Sequence, residues 1–125
     1  MDGIYAARPD AAWELVDGEA IVINFETRHY YCLNKSATAV WSLLTTAPYS
    51  ADSVSAALGQ AYGLSASDVD ADVAELLTGL VSEGLVEPSG DATASPQAVE
   101  LAGGNYVAPR LDKYGTLEQL ILAGE

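Results

Sequence analysis

The spacing of apolar residues changes near residue 34, and the change limits the chain to a fold that mixes strands with helices. Up to Leu33, three runs rich in β-branched and aromatic residues are separated by short polar turns. The Asp17-Gly18 pair between the first two runs is typical of a tight hairpin, because both central residues of a type I′ turn need positive φ. We predict three antiparallel strands, around Trp13–Leu15, at Ala20–Phe25 and at His29–Leu33.

Beyond this point the apolar residues recur every three or four positions, which indicates helices. Asn34 or Ser36 can cap the first helix, because their side chains accept hydrogen bonds from free N–H groups of a first turn. We predict three helices, which run from Ser36 to Pro48, from Ser50 to Gly63 and from Ser65 or Ser67 to Gly84. The order of three strands and then three helices predicts an α+β fold that is winged helix-turn-helix-like.

The composition changes twice after residue 88 and divides the chain into three parts. Residues 89–104 are rich in Ser, Gly, Ala and Pro, as a flexible linker is. Residues 105–125 are apolar and aromatic again but too short to fold alone, so they need a surface to bind. We predict a domain over 1–88, a linker over 89–104 and a peptide-like segment over 105–125.

Charge and composition argue against several classes of function. The chain has 5 Lys and Arg against 18 Asp and Glu, a net charge of −13, which repels nucleic acid and anionic membranes. With one Cys and one His, the sequence shows no metal cluster and no Ser-His-Asp or Cys-His arrangement. We expect a non-catalytic protein without metal or cofactor. Because no signal peptide or membrane-spanning run is visible, we expect a cytoplasmic location.

The predicted third helix argues against DNA binding in particular. Residues 65–83 contain no Lys, Arg, Asn or Gln, the residues that a recognition helix needs for phosphates and base edges. The helix carries acids instead, at Asp68, Asp70, Asp72, Glu75 and Glu83. These acids have an ordinary interpretation as a solvated helix face. A winged-helix transcriptional regulator stays open as the alternative function.

Residues 10–88 resemble the PqqD-like family of recognition elements, which bind leader peptides of ribosomally made natural products. The resemblance lies in the order and spacing of Asp17-Gly18-Glu19-Ala20, Tyr30-Tyr31-Cys32-Leu33-Asn34, Val40-Trp41-Ser42-Leu43-Leu44, Val69-Asp70-Ala71-Asp72-Val73, Leu76-Leu77, Leu80 and Gly84-Leu85-Val86. It implies that a leader lies antiparallel to the third strand, in the groove between that strand and the third helix. The groove residues that it implies are His29, Tyr30, Tyr31, Cys32, Leu33, Val69, Asp70, Asp72, Val73, Leu76 and Leu77.

Residues 106–115 resemble the leader of a lasso precursor peptide, with the pattern Tyr-x-x-Pro-x-Leu-x-x-x-Gly. The resemblance implies a module that binds such a leader and presents it to a leader peptidase and a cyclase. The reach of the linker over 89–104 lets the tail bind in cis or be exchanged between chains. Its anchors are Tyr106, Pro109, Leu111 and Gly115. Its cations are Arg110 and Lys113, which we expect to face Asp70, Asp72 and Glu75. The alternative to a leader is a C-terminal segment that packs on its own domain without binding a separate peptide in its place.

The tail departs from a complete precursor, because it lacks the usual Thr before the core and has no core after Gly124-Glu125. The joint between domain and leader is then natural or engineered, and we expect an engineered one. We expect residues 105–111 to form a fourth strand against His29–Leu33, with the pairing interrupted at Pro109, which has no N–H. Residues 116–122 are expected to turn helical.

Four further side chains have simple expected places. We expect Cys32 to be a small apolar residue of the groove or core, and His29 to lie at an exposed strand end. The odd spacing of these two residues along a strand puts them on opposite faces, which argues against a nucleophilic pair. Trp13 and Trp41 are expected in the core.

Overall fold

The computed structural model describes residues 4–8, 11–46, 48–88 and 106–115. These residues form seven strands and three helices: β1 (Ile4–Ala7), β2 (Ala12–Val16), β3 (Glu19–Asn24), β4 (His29–Leu33), α1 (Lys35–Thr46), β5 (Tyr49–Ser50), α2 (Ala51–Tyr62), α3 (Ala66–Ser82), β6 (Val86–Pro88) and β7 (Leu111–Tyr114). The predicted α+β class with three helices is confirmed. The predicted linker and the predicted helical turn at 116–122 lie outside the described residues.

The larger sheet is antiparallel, in the order β2-β3-β4-β7. Asp17 and Gly18 connect β2 to β3 with φ angles of 54° and 81°, as the turn chemistry of this dipeptide predicts. β3 pairs with β4 from Ala20 opposite Leu33 to Asn24 opposite His29. The other edge of β4 is paired with β7, so the C-terminal segment reaches the sheet next to the strand that we singled out from the sequence.

A second sheet, which the sequence analysis missed, has the order β5-β1-β6. β1 pairs antiparallel with β5, with Tyr5 opposite Tyr49, and with β6, with Ala7 opposite Val86. The predicted order of three strands followed by three helices is therefore incomplete. Strands of two to four residues are too short to show a period of two, so these pairings are fixed by the packing around them.

The core lies between the larger sheet and the three helices. The inner faces of β3 and β4 contribute Val22, Tyr31 and Leu33, all without solvent exposure. The predicted stripe of α3 belongs to the same core, with Val69, Val73, Leu76, Leu77 and Leu80 buried. α3 packs mainly against α2 and also contacts β7 of the larger sheet.

The helix ends follow the capping residues of the sequence. Ser50 accepts a hydrogen bond from Ser53 N at 3.1 Å, and Gly63 ends α2 with a φ of 70°. At the start of α3, the Ser65 N–H donates to Asp68 Oδ2 at 3.0 Å. No helix within the described ranges is long and apolar enough to cross a membrane.

Trp13 is the exception among the expected core residues. Trp41 is fully buried, but Trp13 is 38% exposed and its ring meets Trp41 edge-on, with centroids 6.3 Å apart. Since β2 is the outer strand of its sheet, Trp13 covers the rim of the core and does not enter it.

Candidate functional site

β4 and β7 form the centre of the site through an antiparallel pairing. Leu33 lies opposite Leu111, and Tyr31 lies opposite Lys113. Because side chains alternate along a strand, Leu111 and Lys113 share the inner face of the sheet with the buried Leu33 and Tyr31. The C-terminal segment therefore turns these two side chains toward α3.

The outer face of the same pairing holds the other residues of both strands. Cys32 lies opposite Asp112, and Tyr30 lies opposite Tyr114, with all four side chains partly buried. Tyr30 and Cys32 therefore do not face α3, although the resemblance assigned them to the groove with the rest of β4. Their main chain contributes to the pairing, and their side chains lie on the opposite side of the sheet.

The paired strand of the tail covers residues 111–114, so the expected strand over 105–111 is misplaced. β4 ends at Leu33, and at Asn34 the main chain turns into α1. Residues 106–110 therefore run beside the start of α1, where the described part of the chain has no strand to pair with them. Their main chain is held by side chains from that helix start.

Asn34 provides most of this support. Its main-chain carbonyl accepts from Thr38 N at 2.8 Å, so this oxygen is engaged within α1. Its side-chain Oδ1 accepts from Arg110 N at 2.9 Å, and its Nδ2 donates to Ala108 O at 2.9 Å. Its main-chain N–H donates to Arg110 O at 3.3 Å. One residue thus bonds to the tail on both sides of Pro109.

Pro109 fits this arrangement because its nitrogen faces away from Asn34. The peptide bond between Ala108 and Pro109 is trans, so the carbonyl oxygen of Ala108 points away from the side on which an N–H of residue 109 would lie. Ala108 O points toward Asn34, and the missing N–H of Pro109 is therefore on the other side. One residue earlier, Ser36 Oγ donates to Val107 O at 2.6 Å.

Tyr106 anchors the start of the described tail between α2 and α3. Its hydroxyl donates to Asp72 Oδ2 at 2.8 Å, and its ring meets Tyr62 edge-on, with centroids 5.2 Å apart. Burial and the hydrogen bond to Asp72 raise the pKa of Tyr106 above its usual range, so the hydroxyl stays protonated. Asp72 is thus a hydrogen-bond acceptor for the tail.

Leu111 packs against the core beside a glycine of α3. A Cβ atom placed on Gly79 would lie 3.7 Å from Leu111 Cδ2. This distance is an ordinary van der Waals contact, so Leu111 packs directly over this position of α3.

Lys113 and Tyr31 converge on one carboxylate at the end of α3. Lys113 Nζ lies 2.9 Å from Glu83 Oε1, and Tyr31 Oη donates to the same oxygen at 2.9 Å. The hydrogen bond from Lys113 is the main cause that lowers the pKa of Glu83. Burial and the neighbouring Glu83 raise the pKa of Tyr31 to about 12. A charged pair thus lies at the inner rim of the β4–β7 pairing.

The expected partners of the two cations are wrong. Arg110 Nε lies 3.1 Å from Asp112 Oδ2, within the tail itself. Lys113 binds Glu83 and not the expected acids Asp70, Asp72 and Glu75. These acids lie in the first part of α3, and from Asp72 to Glu83 a helix rises by roughly 16 Å.

The remaining predicted residues fall into two groups. Val69, Val73, Leu76 and Leu77 are at most 4% exposed, so they build the floor beneath the site and offer little surface of their own. Asp70 and Gly115 are exposed. The sequence reasoning missed five contacting residues, Asn34, Ser36, Tyr62, Gly79 and Glu83. Only Asn34 and Ser36 gave a signal, as candidate caps directly after a strand.

His29 and Cys32 lie on opposite faces of β4, as their odd spacing predicts. His29 is partly buried and meets Tyr31 edge-on, with centroids 6.5 Å apart. Burial, with the nearby Glu19 and Asp112, raises the pKa of the Cys32 thiol, so the thiol stays protonated at neutral pH. Across the part of the chain that the structure describes, no group of three or more His, Cys, Asp or Glu residues is placed to hold a metal ion.

Comparison with known proteins identifies the family. Residues 19–86 match the model of the family described as coenzyme PQQ synthesis protein D (PqqD), and no curated protein matches the chain. A solved structure described as TbiB1 in complex with the TbiA(beta) leader peptide has the same fold, with a TM-score of 0.61 and 21% identity. The similarity covers 69% of this chain and 99% of that one. Because the family model matches more than half of its residues, the chain belongs to the PqqD family, which confirms the resemblance in its sequence.

Proposed function

We propose that this chain is a non-catalytic module that binds the leader of a ribosomally made precursor peptide, of the lasso class. The supporting observation is the way in which the C-terminal segment lies along β4 and α3. Tyr106, Pro109 and Leu111 are partly buried, whereas the intervening Val107, Ala108 and Arg110 are exposed. The partly buried positions are those that the Tyr-x-x-Pro-x-Leu pattern defines. A separate leader with this pattern offers the same three anchors.

The mode of binding is the addition of a strand to a sheet edge. Main-chain hydrogen bonds give affinity in this mode, and pockets for alternate side chains give selectivity. Both parts are present here, since β4 pairs with Leu111–Tyr114 while Tyr106 and Leu111 contact the helices. The leader bound to TbiB1 in a structure of the same fold supports this interpretation.

The role in a pathway follows from what such binding leaves accessible. A leader held through its tyrosine, proline and leucine leaves the residues beyond its glycine to other proteins. We therefore place the module before a leader peptidase and a cyclase, to which it presents the precursor in the cytoplasm.

The alternative of a winged-helix transcriptional regulator finds no support in the site. α3 exposes Asp68, Asp70 and Glu75, which would face the phosphates of a DNA duplex. A gel shift with duplex DNA at low salt tests this alternative, and we expect no retarded band.

A competition experiment tests the proposed function. A full-length chain with Tyr106→Ala and Leu111→Ala has lost the two anchors of its own tail, so a separate peptide can enter. We expect a fluorescent peptide of residues 105–115 to bind this variant, as measured by anisotropy. The wild-type chain should bind it more weakly, because a tethered tail competes at an effective concentration of about millimolar.

The matched control is the same peptide with Tyr106→Ala and Leu111→Ala, which keeps its length and charge. We expect this control to bind at least ~10-fold more weakly, since two partly buried anchors are lost. Equal binding of the two peptides would contradict the proposal. A further assay adds a lasso leader peptidase and its precursor, and we expect the chain to accelerate removal of the leader.

A further inference from the structure

The geometry points to Asn34 as the residue that fixes the register of the bound peptide. This inference rests on the proposed function and deepens it, because it concerns how the same groove selects one alignment of a leader. Register matters here, since a shift of one residue along a strand turns every side chain to the other face.

The first step of the argument is the place of Asn34 at a junction. An antiparallel ladder continued past Leu33 would use the main-chain N–H and the carbonyl of residue 34. The N–H donates to Arg110 O at 3.3 Å, but the carbonyl accepts its hydrogen bond from Thr38 N within α1. The side-chain Oδ1 of Asn34 takes over as the acceptor for Arg110 N at 2.9 Å. The carboxamide thus stands in for a strand at the point where the strand ends.

The second step is the pairing of this acceptor with a donor. Nδ2 of the same carboxamide donates to Ala108 O at 2.9 Å. The side chain therefore requires a carbonyl at one position of the peptide and an N–H two positions later. Both groups are main chain, so the requirement concerns alignment and not the identity of the exposed side chains.

The third step joins this requirement to the proline of the leader pattern. In the observed alignment Pro109 stands between the two bonded residues with its nitrogen turned away. A shift by one residue would place Pro109 opposite Asn34 Oδ1, and proline has no N–H to donate. Asn34 and the proline together therefore exclude the register in which the peptide is shifted by one residue so that Pro109 takes the place of Arg110.

A single substitution separates this role from the structural role of Asn34. Oδ1 also accepts from Ala37 N at 3.1 Å and so caps α1. Asn34→Asp keeps this oxygen and is an equally good N-cap. It replaces only the Nδ2 donor with an oxygen that faces Ala108 O. The cap is preserved, whereas the peptide contact becomes repulsive.

Limited trypsin digestion of the full chain measures the effect on docking. Cleavage after Arg110 and Lys113 requires the tail to leave the groove, whereas cleavage after Arg28 reports on the domain. We expect Asn34→Asp to accelerate cleavage in the tail by about 5- to 50-fold, because one hydrogen bond is lost and a repulsion is added. Cleavage after Arg28 should stay unchanged. Equal acceleration at Arg28 would overturn the inference, because Asn34 would then act through the fold.

The single cysteine provides a direct measure of register. Cys32 lies opposite Asp112, so Asp112→Cys should form a disulfide with it under mild oxidation, faster than Tyr114→Cys does. Adding Asn34→Asp should reduce this preference at least ~5-fold. An unchanged preference would overturn the inference.

A parallel Leu111→Ala variant separates this result from the proposed function. If Leu111→Ala accelerates tail cleavage and Asn34→Asp does not, the role of Asn34 is refuted and the groove stands. If neither variant has an effect, the groove assignment fails as well.

Discussion

The hydroxyl of Tyr106 is the contact whose removal tests the groove most sharply. Tyr106→Phe keeps the ring against Tyr62, with which it makes an edge contact at 5.2 Å, and removes only the donor to Asp72. Any loss of docking in this variant therefore measures one hydrogen bond and not the loss of packing.

The expected magnitude follows from the partners. A hydrogen bond to a charged group contributes about 1.5–3 kcal/mol. Tyr106 and Asp72 are partly exposed, so water recovers some of this energy when the bond is lost. We expect a loss of docking free energy of about 1–2 kcal/mol, which corresponds to a roughly 5- to 30-fold fall in the docked population relative to the free one.

A double-mutant cycle in the full chain provides the assay. The variants are Tyr106→Phe, Asp72→Asn and the two together, and docking is measured by hydrogen exchange at the amides of Leu111–Tyr114. We expect the two single effects to overlap, with a coupling energy of about 1 kcal/mol. Additive effects would refute the contact as a contributor to docking.

The pH dependence of docking provides a second, independent test of the same hydroxyl. The raised pKa of Tyr106 means that docking is intact below the ordinary tyrosine value of 10.0 and weakens as the pH rises above it. Since Tyr31 also titrates in this range, the test is the difference between wild type and Tyr106→Phe, which should lose part of the dependence. Identical profiles would contradict the assignment.

Three further predictions concern the other contacts of the tail. Leu111→Ala should weaken docking by about 1–3 kcal/mol in a titration calorimeter with separate peptides, whereas Val107→Ala, 64% exposed in its native form, should have no measurable effect. Lys113→Met should cost docking about 0.2–1 kcal/mol, because its pair with Glu83 is partly exposed, and Arg110→Met should leave docking unchanged. The pKa of Glu83 is lowered in the folded chain, so ionised Glu83 stabilises the fold at pH values above its ordinary pKa of 4.5. This stabilisation should be lost as the pH falls through the lowered pKa of the folded chain. Chemical denaturation between pH 3 and 6 checks this sign, and a stability of Lys113→Met that falls as steeply as that of wild type would contradict it.

The sequence predicted the parts of the fold that have long periodic patterns. β3, β4 and the stripe of α3 are correct because each extends over several repeats of its period, and Asp17-Gly18 fixes the turn between β2 and β3. β1, β5 and β6 have two to four residues each, so their pairing depends on neighbours far along the chain. The buried place expected for Trp13 failed for the same reason, because burial at the end of a sheet depends on which strand is outermost.

The sequence predicted the site residues that belong to the leader pattern. It did not predict the contacts that depend on where the main chain changes direction. Tyr106 and Leu111 are anchors of the resemblance, and both contact the domain as anchors should. The position of the paired strand was wrong because it depends on where β4 gives way to α1. Glu83 lies just past the end of α3, and only the final crossing of α3 and β4 shows that it can meet both Tyr31 and Lys113.

The hydroxyl of Ser36 has a consequence for how easily the tail can be exchanged. It lies 2.6 Å from Val107 O and 3.4 Å from Asn34 Oδ1, and it has a single proton to donate. With the tail docked, the shorter distance assigns the proton to Val107. When the tail leaves, the same proton can turn to Asn34, whose oxygen has just lost its bond with Arg110. A donor freed by dissociation thus meets an acceptor that has lost one of its donors in the same event, while Asn34 Oδ1 keeps its bond from Ala37 N. Release of the tail is less costly for the helix start as a result, which suits the proposed binding of separate leader peptides.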